Sequence, residues 1–395
     1  MSRSTRSRAR RKGNPWVLLG ALVSLLLGVF LGVDLLQLLA LYLLARRILR
    51  PTAGPILTRL ELSAGSAYLA LLAGEIVIGG LPRISSRNAM ESLRGLFVED
   101  EKAEFVNARN FRGVFYDGLV TAEFQTNSLG DRDDEPTGAS GAHCRVLVLG
   151  DSFAFGWGLR RDETIDRQLE LLSAGAVDAY NLGVIAYNPK KILARFDAAD
   201  WWKGTAVLYL FFNNDLVNVE VDSLVVVDGY LVNRAARDQL ANYKAETPVV
   251  RAMLGSILGL RSLRQRVLFL IDRERALAIW PDLYSPETIA GAVSRTREMD
   301  RLARSRSADF ITVIVPTRGE SEWQRYAKST EAYLEGLSSE GLEVLELRDR
   351  LGPEDYFSND GHFNGKGAQK AAAAILDRLQ TVCPAPGAVV AGKGR

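Results

Sequence analysis

Ser152 follows the run VLGD, whose apolar, β-rich residues predict a strand ending at Gly150. A hydroxyl at the carboxyl end of a parallel strand lies where open α/β sheets bind ligands. Serine is a poor nucleophile at its own pKa and needs a base within hydrogen-bond reach. The chain offers two histidines, His143 and His362. His143 precedes that strand, at the wrong end of a sheet, and is expected on the surface. His362 falls in a loop beyond the last expected strand, at the same edge as Ser152, and is the expected base. A third group must fix the imidazole tautomer and stabilise the imidazolium as it forms. Asp360, two residues before His362, is the expected acid, with Asp355 in reserve. Such a set performs acyl transfer through a serine ester.

The elements that must position these residues alternate in type. Short β-rich runs occur at 145–150 (RVLVLG), 178–183 (DAYNLG), 206–212 (AVLYLFF), 310–316 (FITVIVP) and 343–347 (EVLEL). Helical patterns lie between most of them, for example at 163–174 and 188–199, and a final helix is expected at 366–379. Strands alternating with helices predict a parallel sheet covered on both faces. The expected fold is a three-layer α/β domain of about five parallel strands in flavodoxin-like order. Residues 84–142 are mixed, carry six aromatics from Phe97 to Phe124, and read as a linker that becomes an accessory layer. The catalytic domain is expected over 143–383, with an insertion at about 216–285 that either covers the active-site edge or serves as structural padding or a dimer surface. That insertion holds a predicted hairpin at 223–232, turning at Asp228-Gly229, and an apolar helical region at 248–275. Residues 384–395 read as a disordered tail.

Four blocks, in order, resemble those of the SGNH/GDSL hydrolases over about residues 125–380: VLGDSFAFGWGLRRDET at 148–164, NLGV containing Gly183, FNND at 212–215, and SNDGHFNGKG at 358–367. Upstream, TNSLGDR at 126–132 resembles a segment of membrane-anchored bacterial members. The resemblance implies an oxyanion hole made by the Ser152 N–H, the Gly183 N–H and the Asn214 side-chain amide, with Asn213 beside it as the competing amide. Two positions depart from the family pattern. Phe212 stands where the third block usually begins with Gly, and the slot three residues before His362 is Asn359, so the acid moves to Asp360. That two-residue spacing resembles the branch containing alginate O-acetyltransferases, which turns the expected substrate towards polysaccharide acyl groups.

The amino-terminal 83 residues read differently. Residues 3–12 carry six Lys/Arg, and 16–45 is almost wholly apolar, broken by Asp34 and Gln37. An uncleaved membrane anchor is expected within residues 1–83, with a second apolar run at 67–81 that contains Glu75. Arg46, Arg47, Arg50 and Arg59 compete with the basic head for the cytoplasmic side, so either a re-entrant hairpin exports the catalytic domain or two spans leave it inside. The basic head is topogenic, because it lies flush against the apolar run, and no nucleic-acid partner is expected. A net charge of +2 agrees with that.

Gly156, Trp157 and Gly158 lack the surroundings of a phosphate loop, and no metal-ligand spacing occurs, so neither cofactor nor metal is expected. Trp157 lines either the acyl pocket or the core. The two cysteines have no CxxC spacing. Cys144 precedes the first strand, and the final helix must run back across the sheet to the same far edge. A Cys144–Cys383 bridge is therefore expected, and with it an extracytoplasmic catalytic domain. The expected function is a serine esterase acting on O-acyl groups of envelope glycans or lipids. The alternatives are an O-acyltransferase using the same acyl-enzyme and a silent glycan-binding scaffold; a flavodoxin-like FMN carrier is the remote fourth.

Overall fold

The computed structural model describes residues 92–116, 120–136, 142–216, 224–233, 285–357 and 361–383. All of them fall in the unit formed by Ile84–Asp238 and Leu268–Arg395. The anchor expected within 1–83, the helical region at 248–275, Asp360 and the tail at 384–395 lie outside the described residues. Among the described residues no helix is long and apolar enough to cross a membrane.

Two antiparallel hairpins come first: β1 (Phe97–Asp100) with β2 (Glu104–Asn107), and β3 (Arg112–Tyr116) with β4 (Thr121–Gln125). The central sheet follows, built from β5 (Cys144–Gly150), β6 (Val177–Asn181), β7 (Ala206–Phe212), β10 (Asp309–Val315) and β11 (Val344–Glu346). All its pairings are parallel, and the order is β11-β10-β7-β5-β6. Numbered along the chain, these five strands lie 2-1-3-4-5, the flavodoxin-like order expected from the sequence. The order reverses between β5 and β7. At such a switch point the loops leaving two neighbouring strands diverge and open a crevice at their carboxyl ends.

Strand alternation assigns the two faces. Val146 and Val148 of β5, Leu208 and Leu210 of β7, and Ile311 and Val313 of β10 pack with α2 (Ile165–Leu172) and α7 (Gly365–Leu379). Leu147, Leu149, Val207, Tyr209, Phe211 and Ile314 face the opposite layer of α3 (Pro189–Ala198), α4 (Pro286–Ser305) and α6 (Lys328–Ser339). These helices start on strong local signals. Asn188, Ser285 and Asn364 each cap the helix that follows by accepting a backbone N–H, and Pro189 and Pro286 occupy the first turn, where a missing N–H costs nothing. The short helices α1 (Ser152–Phe155) and α5 (Arg318–Trp323) sit at the carboxyl edge, after β5 and β10.

The described residues between 92 and 136 pack onto the domain as a layer. Phe97, Phe105, Phe115 and Phe124 are all buried and join the core on the α3 and α4 face, with Phe105 against Tyr187 at 5.2 Å and Phe124 against Phe155 at 5.1 Å. The hairpin expected at 223–232 forms as β8 (Leu224–Val227) and β9 (Tyr230–Asn233). Its turn residues Asp228 and Gly229 have φ of 52° and 80°, which matches the right-handed strand twist. The described part of the insertion leans on the first hairpin, where Gly95 N–H donates to Gly229 O at 2.8 Å. Its apolar residues Leu224, Val226 and Leu231 explain the placement, since they join the aromatic core of that layer. At the amino-terminal edge Cys144 and Cys383 are joined by a disulfide with a Cα separation of 5.6 Å.

Candidate active site

The serine turn is built by the backbone before any side chain acts. Gly150 ends β5 with φ 151°, and a Cβ there would lie 2.9 Å from Leu210 O on the neighbouring strand, so only glycine lets β5 leave the sheet this closely. Asp151 then caps α1, accepting the Phe153 N–H at 2.9 Å, and Ser152 opens the helix. The Ser152 N–H lies in the first turn, where amides have no acceptor inside the helix and are available to a ligand.

His362 arrives from the other end of the chain on a loop that closes on itself. Tyr356 bridges Phe363, and the Phe357 N–H donates to His362 O at 2.9 Å. The result is a 2.7 Å contact between Ser152 Oγ and His362 Nε2 across 210 residues of sequence. The imidazole is flanked by two aromatic rings, Phe153 tilted at 35° with centroids 4.9 Å apart and Trp157 stacked at 30° with centroids 5.4 Å apart. Trp157 is half-buried and also meets Phe115 edge-on at 4.7 Å, so it serves the site wall and the core together. His143 is exposed at the opposite end of β5.

The Phe212 that replaces the usual glycine lies 4.3 Å from Phe153 and extends the apolar wall. The two asparagines have different partners. Asn213 turns away, donating to Ser329 Oγ at 3.0 Å and Thr330 Oγ1 at 2.7 Å. Asn214 is exposed and hydrogen-bonds Asp151, beside Ser152. Gly183 comes to the same edge, but its N–H donates to Asn181 Oδ1 at 2.8 Å. To act on an oxyanion it must exchange that acceptor for the substrate. The glycine has a packing reason as well, since a Cβ would lie 2.2 Å from Phe155 N.

Asp355, the reserve acid, is fully buried and occupied elsewhere. Its carboxylate accepts the Gly352 N–H at 2.9 Å and Lys370 Nζ at 2.6 Å, tying the histidine loop to α7. Two carboxylates escaped the sequence reading. Asp151 is fully buried and accepts from Ser152 Oγ at 3.2 Å; burial raises its pKa against the Phe153 N–H bond and the charge of His362. Asp215, also fully buried, accepts from Tyr209 OH at 2.8 Å and is held well above the usual carboxylate range, first by burial and then by Asp151. A capping signal was legible at Asp151, an acceptor side chain directly before a helix start. Asp215 carries no local signal, because only the adjacency of β5 and β7 brings it near Asp151. Among the described residues no cluster of His, Cys, Asp and Glu could hold a metal ion.

No protein-family model matches the chain, and no curated protein does. Solved structures do. A carbohydrate acetylesterase family member from Sinorhizobium meliloti is 9% identical with a TM-score of 0.36, the match covering 61% of this chain and 99% of that one. The psychrotrophic esterase EstA from Pseudoalteromonas sp. is 13% identical at TM-score 0.33, covering 60% and 96%. A GDSL-like lipase from Bacteroides thetaiotaomicron is 11% identical at TM-score 0.33, covering 62% and 92%.

Proposed function

We propose that this chain is a serine ester hydrolase of the SGNH type, working through an acyl-enzyme on Ser152. The observation that carries the reading is the 2.7 Å contact between Ser152 Oγ and His362 Nε2 at the sheet's switch point. Ser152 Oγ attacks the acyl carbonyl carbon while its proton passes to His362 Nε2. The Ser152 N–H and the Asn214 amide are the donors for the oxyanion, joined by the Gly183 N–H once it leaves Asn181. Collapse breaks the ester C–O bond, and the departing alcohol takes the proton from Nε2. Water then delivers its proton to the same nitrogen and attacks the acyl carbon; the Ser152 Oγ–C bond breaks, Oγ takes the proton back from Nε2, and the acid leaves. Asp360 is the proposed partner of the imidazolium, from its spacing to His362. A catalytically silent scaffold has no need of a serine hydroxyl held on an imidazole nitrogen.

The acceptor decides between esterase and O-acyltransferase, since a sugar hydroxyl can take the place of water in the second half-reaction. The Asp360–His362 spacing favours acyl groups of envelope polysaccharides as substrates. The Cys144–Cys383 bridge favours an oxidising compartment, hence a catalytic domain outside the cytoplasm, anchored in the membrane through residues 1–83. Turnover of p-nitrophenyl esters from acetate to octanoate, with and without oligosaccharide acceptors, tests the reading. Release of p-nitrophenol by the wild type but not by Ser152→Ala is expected, fastest for short acyl chains. Acylated oligosaccharide among the products would move the assignment to transferase, and equal turnover by Ser152→Ala would remove it.

A further inference from the structure

The segment TNSLGDR takes no part in the chemistry above, yet it contains one of the largest fully buried side chains, Arg132, at 1% exposure. Its guanidinium spends its donors on backbone rather than on a carboxylate. Nη1 donates to Phe155 O at 2.8 Å and to Gly156 O at 2.5 Å, and Nη2 donates to Leu159 O at 2.5 Å. The planar group lies over the Phe124 ring at 4.2 Å and near the Phe155 ring at 4.9 Å. Those three carbonyls belong to the end of α1 and the loop after it. A helix of four residues leaves its last carbonyls without intrahelical donors, so this turn has little means of holding its own shape. An arginine fork suits the need, because it presents several donors in one rigid plane.

The flanking residues fix the segment that carries the fork. Asp131 pairs with Arg195 and accepts from Tyr180 OH. Asp133 accepts the Asn181 N–H at 2.7 Å and Arg161 Nη2 at 2.5 Å. Asn127 turns the chain just before them, its Oδ1 accepting the Leu129 and Asp131 N–H groups. The clamp thus stands on β6 and α3, and it grips the loop that follows the nucleophile. Burial lowers the guanidinium to about 9, which leaves it charged at neutral pH.

We infer that Arg132 is a positioning residue: through the carbonyls of Phe155, Gly156 and Leu159 it holds the turn that presents both Ser152 and Trp157 to His362. This rests on the reading of Ser152 as nucleophile, although the holding of the turn can be measured apart from activity. The test uses the full chain with Arg132→Lys, which keeps charge but has no fork, and Arg132→Met, which keeps length without donors. With p-nitrophenyl acetate, kcat falls by about 100-fold in Arg132→Met and less in Arg132→Lys, with KM nearly unchanged, the loss expected when a reacting group is displaced by about 1 Å. Hydrogen exchange read by mass spectrometry rises in peptides covering 151–164 and stays at wild-type levels in β7 and α7. Wild-type kcat with wild-type exchange in the lysine variant would overturn the inference, as would exchange rising evenly through the domain. Should the wild type turn over no ester, the nucleophile reading fails, and local against uniform exchange still decides the role of Arg132.

Discussion

At the scale of single residues the site is an exercise in where protons are held. Ser152 Oγ has two acceptors within reach, His362 Nε2 at 2.7 Å and Asp151 Oδ2 at 3.2 Å. The imidazole is the nearer and can pass its proton on, whereas Asp151 is already committed to capping α1 and to Asn214. Asp360 and Asp355 separate by substitution. Asp360→Asn is expected to lower ester turnover by about 100- to 10,000-fold, because an amide fills the space without stabilising imidazolium. Asp355→Asn should instead cost about 1–3 kcal/mol of stability, since it weakens the part-buried charge-assisted bond to Lys370, and leave most activity. Steady-state kinetics beside thermal melts distinguishes them, and a dominant kinetic effect at Asp355 would reverse the assignment. Asp215 gives a pH-dependent prediction. Its folded pKa is raised above the ordinary 3.8, so the folded state holds a proton that the unfolded chain releases as pH rises through that interval. The wild type therefore loses stability relative to Asp215→Asn as pH climbs from about 4 towards neutral. Parallel denaturation curves across that range would show that burial does not hold the proton.

At the scale of elements, what was legible in the sequence follows from how local each signal is. The five strands of the sheet fall within a few residues of their expected limits, because buried parallel strands are continuous apolar runs bounded by turns. Ser152, His362, Gly183 and Asn214 all come to the carboxyl edge for the same reason: each follows a strand that could be recognised. The accessory hairpins were not legible as strands. They are four or five residues long, and β4 alternates exposed with buried in a run too short for periodicity to decide. The 20-residue helix α4 was passed over although Ser285-Pro286-Glu287 carries a start signal, since its buried face is built largely from small and polar residues, Ala292, Thr296, Asp300 and Ala303. The acceptor that Gly183 finds in Asn181 is a side-chain contact two residues away, which strand and block recognition do not reach.

At the scale of the whole molecule, the disulfide closes the domain at the edge opposite the chemistry. Cys144 begins the first strand of the sheet and Cys383 follows its last helix, so one bond ties together the ends of a span separated by 239 residues. Reducing it, or replacing both cysteines by serine, should lower stability by about 2–5 kcal/mol with little change in kcat. Thiol counting on denatured protein isolated from its native cells checks the compartment: no free thiol agrees with an extracytoplasmic domain, and two free thiols contradict it. Every proposed step requires Ser152 to act as a nucleophile activated by His362. The most direct measurement is labelling of the full chain with a fluorophosphonate, followed by peptide mapping by mass spectrometry. A single adduct on Ser152 is predicted, absent in Ser152→Ala and formed slower by about 1,000-fold or more in His362→Ala, while His143→Ala labels as the wild type. A folded wild-type protein that leaves Ser152 unmodified, or that labels as fast without His362, would contradict the account.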